Sequence, residues 1–376
     1  MKLLINTATT NKGGGVQVAK SFIEECKELS ENEYFVVLGE NISKTININS
    51  FSKNFTFYDA PFRPATKVFT WSSHNYFLKR IEKEWKPDVV FTTSGPSYWR
   101  PKVKHVMGYN LPHYIYSDSP YFSVIPFSAN IKWKFRKIVA KFFFKRDADA
   151  LVVQTDDVKE RVKKLLSKNR VFTVSNTISD HYLSPKEVAK KLPAKAKNQF
   201  RLLTLSAWYP HKNLSIIPKV LDVLIERGHT NIVFVVTLPK GDMAKLCHVD
   251  KYAAQLLNIG PVKIEEGASL YQECDAMFLP TLLECFSASY AEAMQLQKPI
   301  ITSDMGFAHT VCKDAALYVN PMDENEIASK IITLSKSKEL QEDLVRNGVE
   351  RLQMFGSSRD RAKRYIQICQ SLVNNF

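Results

Sequence analysis

The 376-residue chain contains no apolar run approaching the roughly 18 residues that a membrane-spanning helix needs, and its mean hydropathy is negative. A helical integral membrane protein is therefore set aside. With only 13 glycines and 17 prolines it is neither collagenous nor low-complexity, and 45% hydrophobic residues argue against intrinsic disorder. The opening residues MKLLINTATTNKGGG hold too short an apolar core for a secretory signal. They read as a strand entering a glycine-rich turn. The six cysteines (Cys26, Cys247, Cys274, Cys285, Cys312 and Cys369) form no CxxC pair and sit mostly inside apolar stretches. They read as buried thiols of a reduced compartment, which sets aside a disulfide framework and a zinc ribbon.

What the chain has in excess is positive charge, a formal +14 that is unevenly spread. Residues 1–185 hold 28 Lys and Arg against 17 Asp and Glu, whereas residues 186–376 hold 24 against 21. A basic first half suits a phosphate-bearing partner: nucleic acid, an anionic membrane face or a phosphorylated small molecule. No nucleic-acid-binding motif accompanies the charge, and no nucleic-acid partner is expected.

Strand-like apolar runs alternate with amphipathic stretches from end to end. Strands are expected at 1–8, 33–38, 88–93, 104–109, 148–155 and 170–175, then at 201–207, 232–238, 262–265, 276–280, 299–303 and 316–319. Helices are expected at 16–28, 68–85, 131–145 and 158–166 in the first half. Unbroken runs such as ALVVQ and IVFVV indicate parallel sheets buried on both faces. The expected class is α/β, with two doubly wound Rossmann-like domains whose strand carboxyl ends face each other across a cleft. Residues 1–182 form the first domain, the polar, Lys-rich stretch 183–199 the linker, and 200–356 the second domain. A last helix, 357–376, is placed to pack back on the first domain.

The most informative segment is Pro280–Pro299, PTLLECFSASYAEAMQLQKP. A strand runs into a loop holding Glu284, and a helix starts near Ser287–Ser289. Its early amides lack intrahelical partners and suit an anion such as a pyrophosphate. Glu284 and Glu292 are eight residues apart, about 12 Å at helical rise, comparable to the span from hexose to ribose in a nucleotide sugar. The plainer alternative is that Ser289 and Glu292 form a capping box while Glu284 is a solvated loop carboxylate. In the first domain, Gly13-Gly14-Gly15 follows the first strand and allows close backbone approach to a ligand. It is neither a Walker A loop nor the GxGxxG fingerprint, so an NAD site is not indicated.

These residues resemble the donor-site signature of the family 4 GT-B glycosyltransferases, in which two glutamates bracket seven residues. Glu284, Phe286, Glu292, Ala293 and Met294 match the family pattern, whereas Cys285 and Ser287 replace its usual glycines. RLLTLSAWYPHKNLSIIPKVL looks like the family's first strand and loop of the second domain, with Lys212 at its phosphate-binding lysine. RVFTVSNTISDHY and KDAALYVNPMDENEIASKI are similar to two further family segments. The resemblance implies a retaining hexosyltransferase that uses a nucleoside-diphosphate sugar, UDP- or GDP-linked. The implied acceptor is a saccharide or a polyprenyl-diphosphate-linked saccharide, and the implied setting is O-antigen or capsule assembly. It implies Glu284, Lys212 and His113 as catalytic residues. The donor would lie against Gly14, Gly15, Lys212, Glu284, Phe286, Ser287, Ala288, Ser289 and Glu292.

The family commonly carries an arginine five residues before the lysine; here that position is Ala207, and Lys12 or His211 is the candidate replacement for its charge. Competing with His113 are His74, His105 and His309. Asp147-x-Asp149 has the letters of a divalent-ion pattern but begins a strand and reads as structural, so neither metal nor other cofactor is expected. An epimerase on the same scaffold is the alternative enzyme, and a basic nucleic-acid-binding protein the alternative outside enzymes.

Residues 131–146, IKWKFRKIVAKFFFKR, carry seven basic residues and no acidic one. Phe135, Ile138, Val139 and Phe142 lie at i, i+3, i+4 and i+7, a helical apolar stripe. Two readings stand together: the stripe packs on the first domain's sheet, or the basic, aromatic-flanked face with Lys134, Lys137 and Lys141 rests on anionic lipid. The expected location is the cytoplasm, with a peripheral position on the inner membrane face.

Overall fold

The computed structural model describes residues 1–10, 13–67, 76–186, 188–246 and 249–374; Lys12, His74 and Cys247 lie outside them. The chain divides into two units, one of residues 1–116, 128–177 and 356–376, the other of residues 117–127 and 178–355. The stretch 183–199, expected as the linker, is tied at one point to the second unit. The amides of Lys191 and Leu192 donate to Glu273 at 3.2 and 3.0 Å, and Leu192 is buried in the second unit.

The first unit is built on seven parallel strands: β1 Lys2–Asn6, β2 Glu33–Leu38, β3 Phe55–Asp59, β4 Val89–Thr92, β5 Lys104–Gly108, β6 Ala150–Val153 and β7 Val171–Thr173. Their order is β3-β2-β1-β4-β5-β6-β7, doubly wound about a switch point between β1 and β4. Side chains alternate as strand geometry requires. Leu3, Ile5, Val36, Val89 and Phe91 enter one apolar layer with Phe22, while Leu4, Val37 and Val90 enter another with Phe77, Leu78, Ile81 and Trp99. The helix Ser358–Asn374 closes the first layer. Tyr365 meets Phe22 edge-on at 5.2 Å and lies 4.9 Å from Phe91, and Ser358 donates to Glu25 at 2.6 Å.

The long helix Phe127–Asp147 overturns one packing expectation. Ala140, Phe143, Phe144 and Asp147 are its buried side chains. Three of the four stripe positions are on the outside, with Phe135 57%, Ile138 68% and Phe142 57% exposed, whereas Val139 is half-buried. Both faces of this helix are apolar, and periodicity alone does not choose between them. Lys134 and Lys141 are exposed, whereas Lys137 is partly buried, which lowers its pKa. Among the described residues, no helix is long and apolar enough to cross a membrane.

The second unit has six parallel strands: β8 Phe200–Thr204, β9 Ile232–Val236, β10 Leu256–Asn258, β11 Ala276–Leu279, β12 Ile300–Ser303 and β13 Leu317–Val319. Their order, β10-β9-β8-β11-β12-β13, places the switch point between β8 and β11. IVFVV is buried at every position, as a central strand covered on both faces must be. The strand expected at 262–265 is instead a 3₁₀ turn, Ile264–Glu266, whose start Lys263 and Glu266 cap. Cys26, Cys274, Cys285, Cys312 and Cys369 are buried.

Candidate functional site

In open α/β sheets, ligands sit beyond the carboxyl ends of the strands flanking the switch point. In the second unit, the loop after β8 carries Lys212 and the loop after β11 carries Glu284. The 3₁₀ turn Pro210–Lys212 ends at Asn213, whose φ of 54° is left-handed, a conformation asparagine tolerates better than most residues. Asn213 Nδ2 donates to Pro321 O at 2.7 Å, which pins the turn. The Leu282 amide donates to His211 O at 2.7 Å and Thr281 Oγ1 to the same carbonyl at 3.0 Å, so the two loops are tied together. Ser119, on the stretch that follows Tyr116, adds a bond from its hydroxyl to Leu282 O at 2.7 Å.

This arrangement brings Lys212 and Glu284, 72 positions apart in sequence, into a direct ion pair with only 17% and 13% of their side chains exposed. The reading of Glu284 as a solvated loop carboxylate is therefore corrected. Thr281 Oγ1 lies 3.3 Å from the same carboxylate oxygen. Lys212 Nζ has three donors, so it can hold Glu284 and an anionic ligand together. His211 does not supply the charge missing at Ala207. Burial and the neighbouring Lys212 push its pKa down to about 4, so it is uncharged at neutral pH.

The helix Ala288–Gln295 begins after Ser287, which makes no side-chain capping bond. The capping box of Ser289 and Glu292 is therefore not formed. Ser287 is buried, Phe286 meets Phe355 edge-on at 6.1 Å, and Ala288 is exposed. The Tyr290 amide donates to Ser287 O at 3.3 Å, and the earlier amides of Ala288 and Ser289 suit an anion. Glu292 lies inside the helix, hydrogen-bonded to the buried Tyr182 hydroxyl. Burial raises its pKa to about 7, against the opposing pull of that bond and of the Lys212 charge. Tyr182 is itself wedged against Gly267, where a Cβ would stand 2.2 Å from its hydroxyl oxygen. Only glycine leaves room there.

In the first unit, the switch point is lined by hydroxyls. Thr10 and Thr93 Oγ1 atoms are 2.9 Å apart, and Ser94 Oγ donates to Asn110 Oδ1 at 2.9 Å. Gly13 adopts φ 63° and ψ −149°, a region essentially restricted to glycine, and launches the helix Gly14–Glu25. Gly14 and Gly15 are the first helical residues rather than positive-φ positions. His113 stands on the turn Pro112–Tyr114 and stacks on Trp133, with ring centroids 4.0 Å apart and 9° between planes.

Two of the competing histidines, His105 and His309, have structural partners. His105 is fully buried, with Nδ1 bonded to Asp147 O and Nε2 to Thr92 Oγ1, both at 2.8 Å. A carbonyl accepts only, so Nδ1 carries the proton and Nε2 accepts. Burial pushes the His105 pKa down to about 4. His309 pairs with Asp304 at 2.5 Å and stacks on Tyr318. Asp147 is paired with Arg146 at 2.5 Å and Asp149 with Arg100 at 3.0 Å, at the junction of helix and β6. Among the described residues, no group of three His, Cys, Asp or Glu is placed to hold a metal ion.

Sequence reasoning missed Tyr182, Asn213, Thr281 and Ser119. The asparagine in PHKN, directly after the lysine, was the one local signal available.

Residues 185–351 match the profile of the family described as Glycosyl transferases group 1. The O-antigen chain mannosyltransferase RfbU of Salmonella typhimurium (strain LT2) is 27% identical over 187 residues, 43% of this chain. The match spans about half, 49%, of that relative's own length. Sucrose-phosphate synthase from Thermosynechococcus elongatus superposes with a TM-score of 0.77 at 14% identity, over 99% of this chain and 98% of that one. Anabaena Alr3699/HepE, solved in complex with UDP-glucose, superposes with a TM-score of 0.70 at 12% identity, over 99% and 100% of the two chains. With its two doubly wound parallel sheets, the fold is GT-B.

Proposed function

We propose that this chain is a retaining glycosyltransferase that moves a hexose from a nucleoside-diphosphate sugar, UDP- or GDP-linked, to a saccharide or lipid-linked saccharide acceptor. Its setting is bacterial surface-polysaccharide assembly. The carrying observation is the semi-buried Lys212–Glu284 pair at the β8–β11 switch point, with Glu292 one helix turn beyond the free amides of Ala288 and Ser289. The match to Glycosyl transferases group 1 covers these residues, and the partial kinship with an O-antigen mannosyltransferase supports the setting. That a chain of the same fold holds UDP-glucose supports the donor class.

In this reading Lys212 and the helix amides hold the diphosphate. As the bond from sugar to phosphate lengthens, negative charge grows on the leaving oxygen, and a preorganised cation and amides stabilise it without reorganising. Glu284 accepts from hydroxyls of the transferred sugar, and Glu292 accepts from the ribose hydroxyls. The family resemblance, rather than any distance, assigns Gly14 and Gly15 to the donor phosphates and His113 to the transferred sugar. Positioning supplies the rest, so no nucleophile–base pair is required. Retention of configuration follows from the resemblance of Glu284 and Glu292 to the paired-glutamate signature. No metal or cofactor takes part in this reading.

The test is nucleoside-diphosphate release from a panel of nucleotide sugars, with and without saccharide acceptors. Release that requires an acceptor supports transfer. Donor consumed equally without an acceptor would instead identify an epimerase or a hydrolase.

A further inference from the structure

The helix Phe127–Asp147 presents to solvent a face that a water-soluble surface would not retain without use. Ile131, Phe135, Ile138 and Phe142 are 53%, 57%, 68% and 57% exposed. At about 100° per residue these four positions fall within about 60° of arc, a continuous row about 16 Å long. The buried residues Ala140, Phe143, Phe144 and Asp147 lie on the opposite side, so packing within the first unit does not account for the row. Lys134, Lys141 and Lys145 border it on one side and Lys132 and Arg146 on the other, all exposed. The helix has no acidic residue before the buried Asp147.

We infer that this face lies in the interfacial plane of an anionic lipid bilayer, with the four apolar side chains dipped between head groups and the flanking basic residues on lipid phosphates. Three features favour a membrane over other occupants. A second copy would bring two rows of like charge together, and the chain as a whole carries +14. Long Lys and Arg stems let the charges reach phosphates while the chain between them stays apolar. A basic helix whose exposed apolar stripe is bordered by cations on both sides has the pattern of one that lies on a membrane rather than crossing it. The inference is independent of the proposed reaction, since it concerns a face on the first unit alone.

Vesicle co-sedimentation tests it with the full chain. Vesicles of phosphatidylglycerol and phosphatidylcholine should pellet the protein, and phosphatidylcholine alone should not. Added salt should weaken the binding. Each Lys or Arg near an anionic surface is worth about a five-fold change in affinity, so Lys134→Glu, Lys141→Glu and Lys145→Glu together should weaken binding at least about a hundred-fold. Phe135→Ser, Ile138→Ser and Phe142→Ser should abolish binding to the same vesicles while thermal unfolding stays at the wild-type temperature, because these side chains are exposed. Equal recovery with both lipids, none with either, or unchanged binding by the serine variant would overturn the inference. A dimer that forms without lipid and is lost in the serine variant would assign the face to a second copy instead.

Discussion

Replacing Glu292 by glutamine should stabilise the ligand-free protein at alkaline pH and leave it unchanged in acid. Burial raises the Glu292 pKa from 4.5 to about 7 despite the Tyr182 hydrogen bond and the Lys212 charge. The folded state therefore holds a proton between about pH 4.5 and 7 that the unfolded state has released. Stability from this group falls as pH rises through that window and is level on either side. At about 1.4 kcal/mol per unit, the ionised carboxylate costs about 3 kcal/mol above pH 7. Glutamine keeps the shape and the acceptor for Tyr182 without ionising. The assay is denaturant unfolding of wild type and Glu292→Gln at several pH values, followed by a probe in the second unit. The difference in unfolding free energy should grow by up to about 3 kcal/mol in favour of glutamine from about pH 4.5 to about pH 8. A difference independent of pH, or glutamine losing ground as pH rises, would refute the burial argument. Ribose hydroxyls donating to the carboxylate would favour its ionised form, so nucleotide affinity should rise with pH up to about 7 in wild type and stay level in the variant.

His105 should impose the opposite dependence on the first unit. Its folded pKa of about 4 lies below the unfolded value of about 6.5, so stability is lost as pH falls through that window, and His105→Asn should abolish this component in an acid titration of unfolding. Tyr365→Ala should destabilise the first unit by about 3–5 kcal/mol, since it empties a buried aromatic site against Phe22 and Phe91, while nucleotide binding by the surviving folded protein stays at the wild-type level. Gly267→Ala should push the Tyr182 hydroxyl away from Glu292 and weaken nucleotide binding, which calorimetry would register; wild-type affinity would show that the Tyr182 contact is dispensable.

The strands were legible where burial on both faces forced unbroken apolar runs, as in ALVV and IVFVV. Two edge strands were not. In β3, FTFYD buries only Phe55 fully, so it forms no unbroken apolar run, and β10 is three residues long, too short for any period to register. The site was legible in its residue types and loops, because Lys212 and Glu284 follow recognisable strands. Their pairing was not, because it is set by the order of β8 and β11 in the sheet. Glu292 looked like a capping residue since Ser289 stands at the right spacing. The helix begins one residue after Ser287, and Tyr182, 110 positions earlier, takes the carboxylate instead. On the helix Phe127–Asp147, periodicity found the apolar stripe but left open whether it faced the sheet or the outside, because the second apolar face at Phe143 and Phe144 competed for the same sheet.

The most direct test of the account is calorimetric titration of UDP and GDP, and of the matching nucleosides, into wild type and Lys212→Ala. A charge-assisted bond to phosphate contributes about 1.5–3 kcal/mol, so the variant should bind its preferred nucleoside diphosphate about ten- to a hundred-fold more weakly. It should bind the bare nucleoside as the wild type does, because Lys212 is assigned to the diphosphate and Glu292 to the ribose. Undiminished diphosphate affinity in Lys212→Ala, or an equal loss for diphosphate and nucleoside, would contradict the assignment of the β8–β11 switch point as the donor site.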